Sequence, residues 1–312
     1  MDNITHSMAG WVLGQTGLKT KSRKGLAALI LGANMPDIDV FFGNFPWTPL
    51  ATHRGFTHGI VGGVAVMPPI LFGLLWLLDR WQVSRGAEFK SGLAMRAWWL
   101  LALCYIGALT HPYLDLLTTY SVQLFSPFSG RWWHADGLFI IDLWLWLLLS
   151  GSIFWSKRRE KRGHGDWQRP ARIAVAITLA YVSLNLAISE RAKARVLDAA
   201  PAATRIFASP PPFWSWRRDL VWQEGDCYRR AAYSPFSGFA GPSACEPTNM
   251  RDPLVRQALR ETPSLRKFLN WSILPQASVA RSGCAANVSI GDARYGRFRS
   301  SRLARGVTIR TC

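Results

Sequence analysis

The sequence predicts a mainly α protein: a polytopic membrane helical bundle of about four full spans, opened by a short N-terminal helical hairpin and followed by a small C-terminal α+β extramembrane domain. Three observations carry that reading. Apolar runs that reach or approach the length of a hydrocarbon core recur at 59–78, 97–118, 138–156 and 171–189. Charge is scarce and segregated, with 18% charged residues against 49% hydrophobic ones. Of a net charge of +18, +12 lies in residues 191–312, which hold 20 Lys+Arg and 8 Asp+Glu.

The first two apolar runs, 7–18 and 25–35, flank the basic turn Lys19-Thr20-Lys21-Ser22-Arg23-Lys24. Each rises only ~15–18 Å, about half a bilayer core, so they read as a helical hairpin packed on longer helices or partly re-entrant. Thr5 is the expected cap of the first helix, with His6 in its opening turn. The four longer runs complete a membrane-embedded domain over 1–190. Residues 191–215, ending in Ser209-Pro210-Pro211-Pro212, read as a linker, and 216–312 as a small domain. There, 219–233 reads as a hairpin around Glu224-Gly225-Asp226, 253–269 as a short helix, and 286–290 and 306–311 as strands.

The positive-inside rule orients the chain. The turn at 19–24, the loop carrying Arg80, Arg85, Lys90 and Arg96, and the run Lys157-Arg158-Arg159-Glu160-Lys161-Arg162 are the basic loops expected in the cytoplasm. Segments 36–58 and 119–137 then face outward, with the N-terminus and the tail. The expected location is the bacterial inner membrane with a periplasmic C-terminal domain. Asp2 opens a stretch without a basic n-region, so no cleavable signal peptide is expected. The basic tail fits lipid headgroups or a solvated surface better than nucleic acid.

Cys104 sits alone in an apolar run and reads as packing. Cys227, Cys245, Cys284 and Cys312 fall in the tail, an even number that suggests two disulfides of open connectivity. A four-cysteine zinc site is the rival, but no Cys-x-x-Cys pair occurs.

Chemistry concentrates in four polar islands set in apolar sequence: Thr5-His6-Ser7, Pro36-Asp37-Ile38-Asp39, His53-Arg54-Gly55-Phe56-Thr57-His58 and His111-Pro112-Tyr113-Leu114-Asp115. Unpartnered imidazoles and carboxylates are costly there, and a shared cation is the simplest partner. His6, Asp37, Asp39, His53, His58, His111 and Asp115 are the candidate ligands, all on the outward side of the orientation above. His111 and Asp115, four apart, share a helix face. His53 and His58, five apart, can share a site only if Gly55 breaks the backbone, leaving His53 in a loop and His58 at a helix start. Asp37 and Asp39 suit an extended loop. Mixed nitrogen and oxygen donors favour zinc, with manganese or iron as alternatives, and seven candidates leave room for one or two ions. Asp39 or Asp115, if not bound to metal, would be the general base. Arg54 would hold an anionic substrate group or snorkel to lipid headgroups. His134, Asp136 and Asp142 read as ligand-orienting groups, as extra ligands, or as an interfacial loop anchored by Trp132 and Trp133. Gly62-Gly63 reads as a helix-contact surface. His164, in a basic loop, has no assigned role. No P-loop, dinucleotide fingerprint or Gly-x-Ser-x-Gly occurs.

The order of these islands resembles the bacterial membrane-bound metal-dependent hydrolases, an inner-membrane family with a LexA-regulated, SOS-inducible member. The resemblance covers residues 1–190 and extends to Asn270-Trp271-Ser272 and Gly291-Asp292-Ala293-Arg294-Tyr295-Gly296. Its most specific piece is His53-Arg54-Gly55-Phe56-Thr57-His58, followed here by Gly59 where Ser is common. A weaker likeness, in ligand chemistry alone, is to zinc-dependent phospholipases C. The resemblance implies a membrane hydrolase, with membrane lipids as surroundings and a lipid-linked or envelope substrate, such as a phosphoester. The alternatives are a non-catalytic metal-binding protein or ion transporter, and an SOS-linked envelope factor that binds a partner through its tail.

Overall fold

The computed structural model describes residues 1–42, 53–296 and 305–310. The chain divides into two compact units, residues 1–41 with 53–186 and residues 187–312.

The first unit is helical. Helix α1 (Asn3–Gln15) begins at Asp2, whose Oδ1 accepts from the amides of Ile4 and Thr5 at 3.0 Å each. Asp2 therefore caps the helix rather than Thr5, and His6 lies a turn inside it. Helix α2 (Gly25–Asn34) folds back on α1, and Asn34 Nδ2 donates to Ser7 Oγ at 3.0 Å. This is the expected hairpin. The segment Met35–Phe42 continues as a 3₁₀ helix where an extended loop was expected. A 3₁₀ turn (Phe56–His58) and a π-helical segment (Ile60–Val66) lead into α3 (Met67–Ser84). Helices α4 (Ala97–Leu116), α5 (Leu143–Lys161) and α6 (Arg169–Ala199) follow.

Among the described residues two helical stretches, not the expected four, are long and apolar enough to cross a membrane: Ile60–Ser84 and Arg169–Ala199. The other two runs fall short for different reasons. Helix α4 is interrupted by His111, Pro112 and Asp115, and α5 ends in Lys157-Arg158-Arg159-Glu160-Lys161. Residues 138–142 precede α5, which starts only at the Asp142 cap. Only 33% and 28% of the two candidate spans is buried within the protein, so their apolar faces point outward, as lipid-facing helices require.

Close backbone approach holds α1, α2 and α4 together. A Cβ on Gly32 would lie 2.9 Å from the Cys104 carbonyl oxygen, and one on Gly107 would lie 2.6 Å from that of Leu29. Glycine is required at both contacts. At one end of the unit, Arg23 pairs bidentately with Asp79 near the end of α3 (2.6 and 2.7 Å) and Lys19 with Glu160 near the end of α5 (2.6 Å). The basic turns therefore gather at that end.

The second unit is α+β. Helix α6 continues past 190 and buries Ala192, Val196 and Ala200 against Trp222 and Leu220. The expected linker over 191–215 thus contains helix and strand. Strands β1 (Thr204–Ser209), β2 (Arg218–Glu224), β3 (Cys227–Ser234), β4 (Gly238–Phe239) and β5 (Glu246–Pro247) form one antiparallel sheet, ordered β1-β2-β3-β4 with β5 also on β3. The β2–β3 hairpin turns on Gly225-Asp226, with Gly225 at φ 61°. The single expected helix is two, α7 (Pro253–Glu261) and α8 (Pro263–Trp271), because Pro263 cannot continue the first. Strands β6 (Pro275–Ser282), β7 (Ala285–Asp292) and β8 (Arg305–Arg310) make a second sheet; β1, β4, β5 and β6 were not anticipated. Cys227 and Cys245 form a disulfide, Cys284 is also disulfide-bonded, and Cys104 is free and buried. Cys312 lies outside the described residues.

Candidate metal centre

The site forms at the end of the first unit opposite the basic turns. It draws on the start of α1, the end of α2 with its 3₁₀ extension, the 53–58 segment and the end of α4. Local backbone explains how His58 reaches it. Arg54 adopts φ 66° and Gly55 follows with φ −94°, ψ −115°, so the chain breaks where the spacing of His53 and His58 demanded. A Cβ on Gly62 would lie 2.2 Å from the Phe56 carbonyl oxygen, and one on Gly63 would lie 2.6 Å from that of Thr57. The glycine pair thus seats the histidine turn against the helix that follows, a local role rather than the expected helix–helix contact. The π-helical start of that helix is a deviation often found beside functional groups.

Four donor atoms converge. Asp37 Oδ1 lies 3.3 Å from His58 Nε2 and 3.3 Å from His111 Nε2. Asp115 Oδ2 lies 3.3 Å from His58 Nε2 and 3.5 Å from His111 Nε2. The two imidazole nitrogens are 2.9 Å apart. A tetrahedral site with metal–ligand bonds of ~2.0–2.1 Å has ligand–ligand edges of roughly 3.3–3.4 Å. The four carboxylate–imidazole edges match that size, and the edge between the two nitrogens is shorter.

The hydrogen bonds behind these atoms orient them. His111 Nδ1–H donates to the Ala33 carbonyl at 2.7 Å. Thr57 Oγ1 donates to Asp39 Oδ2 at 2.7 Å, so the same oxygen accepts from His58 Nδ1–H at 3.0 Å. In the neutral rings both Nε2 lone pairs therefore face each other and two carboxylate oxygens. Such an arrangement repels itself unless a metal ion, or a proton on one Nε2, lies among the four. The orphaned atoms agree: Asp115 Oδ2 and both nitrogens of His6 are buried without a hydrogen-bond partner. Asp115 Oδ1, by contrast, pairs with the Met1 amine and with Arg54 Nη2 (3.1 Å). The residues present fit a divalent metal.

Three groups could hold an ion: His6, His111 and Asp115; Asp37, His58 and His111; and Asp39, His53 and His58. All seven sequence candidates fall in them. His6 stacks on His111 with ring centroids 3.8 Å apart, its Nε2 3.5 Å from Asp115 Oδ1. His53 is the most open, its side chain 28% exposed. Its Nδ1–H donates to Asp39 Oδ1 at 2.8 Å, and its Nε2 lies 3.9 Å from Asp37 Oδ1. Burial opposes ionisation of Asp37 and Asp39. Bonding to His111 and His58 outweighs it at Asp37, and bonding to His53 outweighs it at Asp39, so both carboxyls stay below the usual range.

Arg54 is buried, donates to Thr118 Oγ1 at 3.1 Å and lies over the Tyr120 ring. Together with its bond to Asp115, this ties the guanidinium to the protein rather than leaving it free for a substrate anion. His134 pairs with Asp136 at 2.9 Å. Asp142 caps α5 by accepting from the Leu145 amide at 3.0 Å and also accepts from Tyr181 Oη at 2.9 Å. None of these three joins the groups above. Sequence reasoning missed Thr57, although its place inside the histidine island marked it.

An apolar helical unit with a buried histidine–carboxylate cluster is the class of protein defined here. The chain belongs to the YdjM inner membrane protein family, whose model matches residues 1–192. The protein is thus an inner membrane protein. No curated protein and no solved structure matches the chain.

Proposed function

We propose that the protein is a metal-dependent hydrolase of the inner membrane that acts on a membrane-resident ester, with a lipid-linked phosphoester as the favoured class. The observation that carries the reading is the convergence of carboxylate oxygens of Asp37 and Asp115 on the facing Nε2 atoms of His58 and His111, at 3.3–3.5 Å. Those four residues would hold the metal, and His6 stands beside them as a further donor. Bound there, the ion supplies Lewis acidity. His53, held by Asp39, presents Nε2 at the open side of the site. It takes the proton of the water that attacks the ester phosphorus and returns it to the departing oxygen. Asp39 acts through His53 and Thr57, as a positioning residue. Arg54 positions Asp115. The substrate class rests on location in the membrane. The Cys227–Cys245 disulfide supports placing the second unit in the periplasm.

Elemental analysis of the purified protein tests the centre, with zinc, manganese and iron read separately. One equivalent of metal is expected, two if the Asp39, His53 and His58 group also fills. His58→Ala or His111→Ala empties this site, and unchanged metal content in both variants removes the assignment. Metal-loaded protein is then screened against phospholipids, lipid phosphates and isoprenoid-linked precursors. Full metal without turnover on any of them favours the alternative, a non-catalytic metal-binding or ion-transporting protein, for which buried His and Asp in membrane helices are also the signature.

A further inference from the structure

A groove of 660 Å³ runs between α1 and α5, within the size range of small-ligand sites. Its walls are Met8, Trp11, Ser150, Ile153 and Phe154, and its rim is Lys157, Arg158, Lys161 and Arg162. On α5 these cations fall at i, i+1, i+4 and i+5, so they share one face and continue the line of Ile153 and Phe154. The groove therefore changes along its length from largely apolar to strongly cationic. The rim cations are exposed, and none has a carboxylate partner among the described residues. Lys157 Nζ lies 5.0 Å from the centre of the Trp11 ring, at the point where apolar wall meets charge.

We propose that this groove binds an anionic glycerophospholipid of the bilayer, one acyl chain along the apolar walls and the phosphate against the four cations. Charge complementarity singles out that occupant. In an inner membrane protein an exposed apolar groove meets lipid, and a zwitterionic headgroup leaves the rim charge unbalanced whereas an anionic one neutralises it. The neighbouring groove between α5 and α6 supplies a contrast. It is larger, at 770 Å³, and also apolar, but of its two cations Arg159 is already paired with Asp166. The lipid site is independent of the metal centre, which lies at the other end of the unit.

Native mass spectrometry of the full-length protein, released from detergent with added phosphatidylglycerol or phosphatidylcholine, tests the proposal. The wild type is expected to retain phosphatidylglycerol at least about tenfold more than phosphatidylcholine. Replacing Lys157, Arg158, Lys161 and Arg162 by Gln removes that preference. Ser150→Trp, which fills the groove without touching its charge, lowers retention of the anionic lipid, whereas Gly151→Trp in the neighbouring groove does not. Equal retention of the two lipids, an unchanged preference in the Gln variant, or equal effects of the two Trp substitutions overturns the assignment. Metal content, measured on the same preparations, reports whether each variant has kept its fold.

Discussion

Each unit buries charge, and the two resolve it in opposite ways. In the second unit, Asp292 and Arg294 are both fully buried and satisfied from within the chain. Asp292 Oδ1 accepts from Arg294 Nε (2.8 Å) and from the Arg294 amide (2.9 Å). Its Oδ2 accepts from Arg294 Nη2 (2.9 Å), Ser272 Oγ (2.7 Å) and the Ile273 amide (2.9 Å). In the first unit, Asp115 Oδ2 and His6 have no such partners, and four donor atoms point at one another instead. A buried pair closed on itself is a structural device. Lone pairs turned inward, each fixed by a hydrogen bond from behind, are arranged for a ligand. Burial of charged residues is common to both regions, and the direction of their unshared lone pairs tells them apart.

The contrast breaks first at Asp292. Asp292→Asn leaves Arg294 buried without its counter-charge, and the expected loss of stability is about 3–5 kcal/mol. Urea unfolding followed through tail tryptophans measures it. Metal content should stay at the wild-type level, because the pair takes no part in the centre. Burial opposes ionisation of Asp292, but Arg294 outweighs it and holds the carboxyl below the usual range. A depressed folded pKa contributes stability that is complete above the unfolded value, roughly 3.9, and is lost as pH falls through the folded value. The acid limb of the stability profile is therefore shallower in Asp292→Asn. A variant as stable as the wild type at pH 7 would mean that the pair is incidental to the fold.

A smaller effect is expected from Cys227→Ser. The disulfide spans 18 residues of sequence, for which loop-closure entropy gives about 3 kcal/mol. The loss should fall on the second unit alone. If metal content falls with the disulfide, the two units do not keep their chemistry apart, and the comparison fails on that side.

The sequence made the centre legible through contrast. Histidine and aspartate stand out where nearly every neighbour is apolar, and the spacing of His53 and His58 already required a break at Gly55. Contacts between distant backbones were not legible. The meeting of Gly32 and Gly107 with carbonyl groups on facing helices depends on which helices pack, and sequence periodicity does not say. The span count was overestimated because apolar runs were weighed by length alone. Five consecutive charged residues end α5, and α4 carries a proline and two ligand residues. The end of α6 was missed for the converse reason. Polarity after 190 looked like a linker, although Ala192, Val196 and Ala200 recur at the four-residue spacing of a helix face. The Asp142 cap, which none of the three readings of that patch included, depends on where α5 starts.

The finest test of the contrast lies at Thr57. If the first unit is arranged for a ligand, groups that only orient the donors must also matter. Thr57 relays Asp39 to His58 through one hydroxyl, accepting from Nδ1–H and donating to the carboxylate. Thr57→Val keeps the shape and removes the relay. His58 is then free to carry its proton on Nε2, the atom that faces Asp37 and Asp115. Losing such an orienting bond lowers metal affinity by about 10–100-fold, or roughly 1.4–2.7 kcal/mol. Competition with a chromogenic chelator measures it, and Thr57→Ser, which retains the hydroxyl, restores most of the affinity. Equal affinity in Thr57→Val and wild type would make the hydroxyl a packing detail and leave the tautomer of His58 to be set by the cation alone.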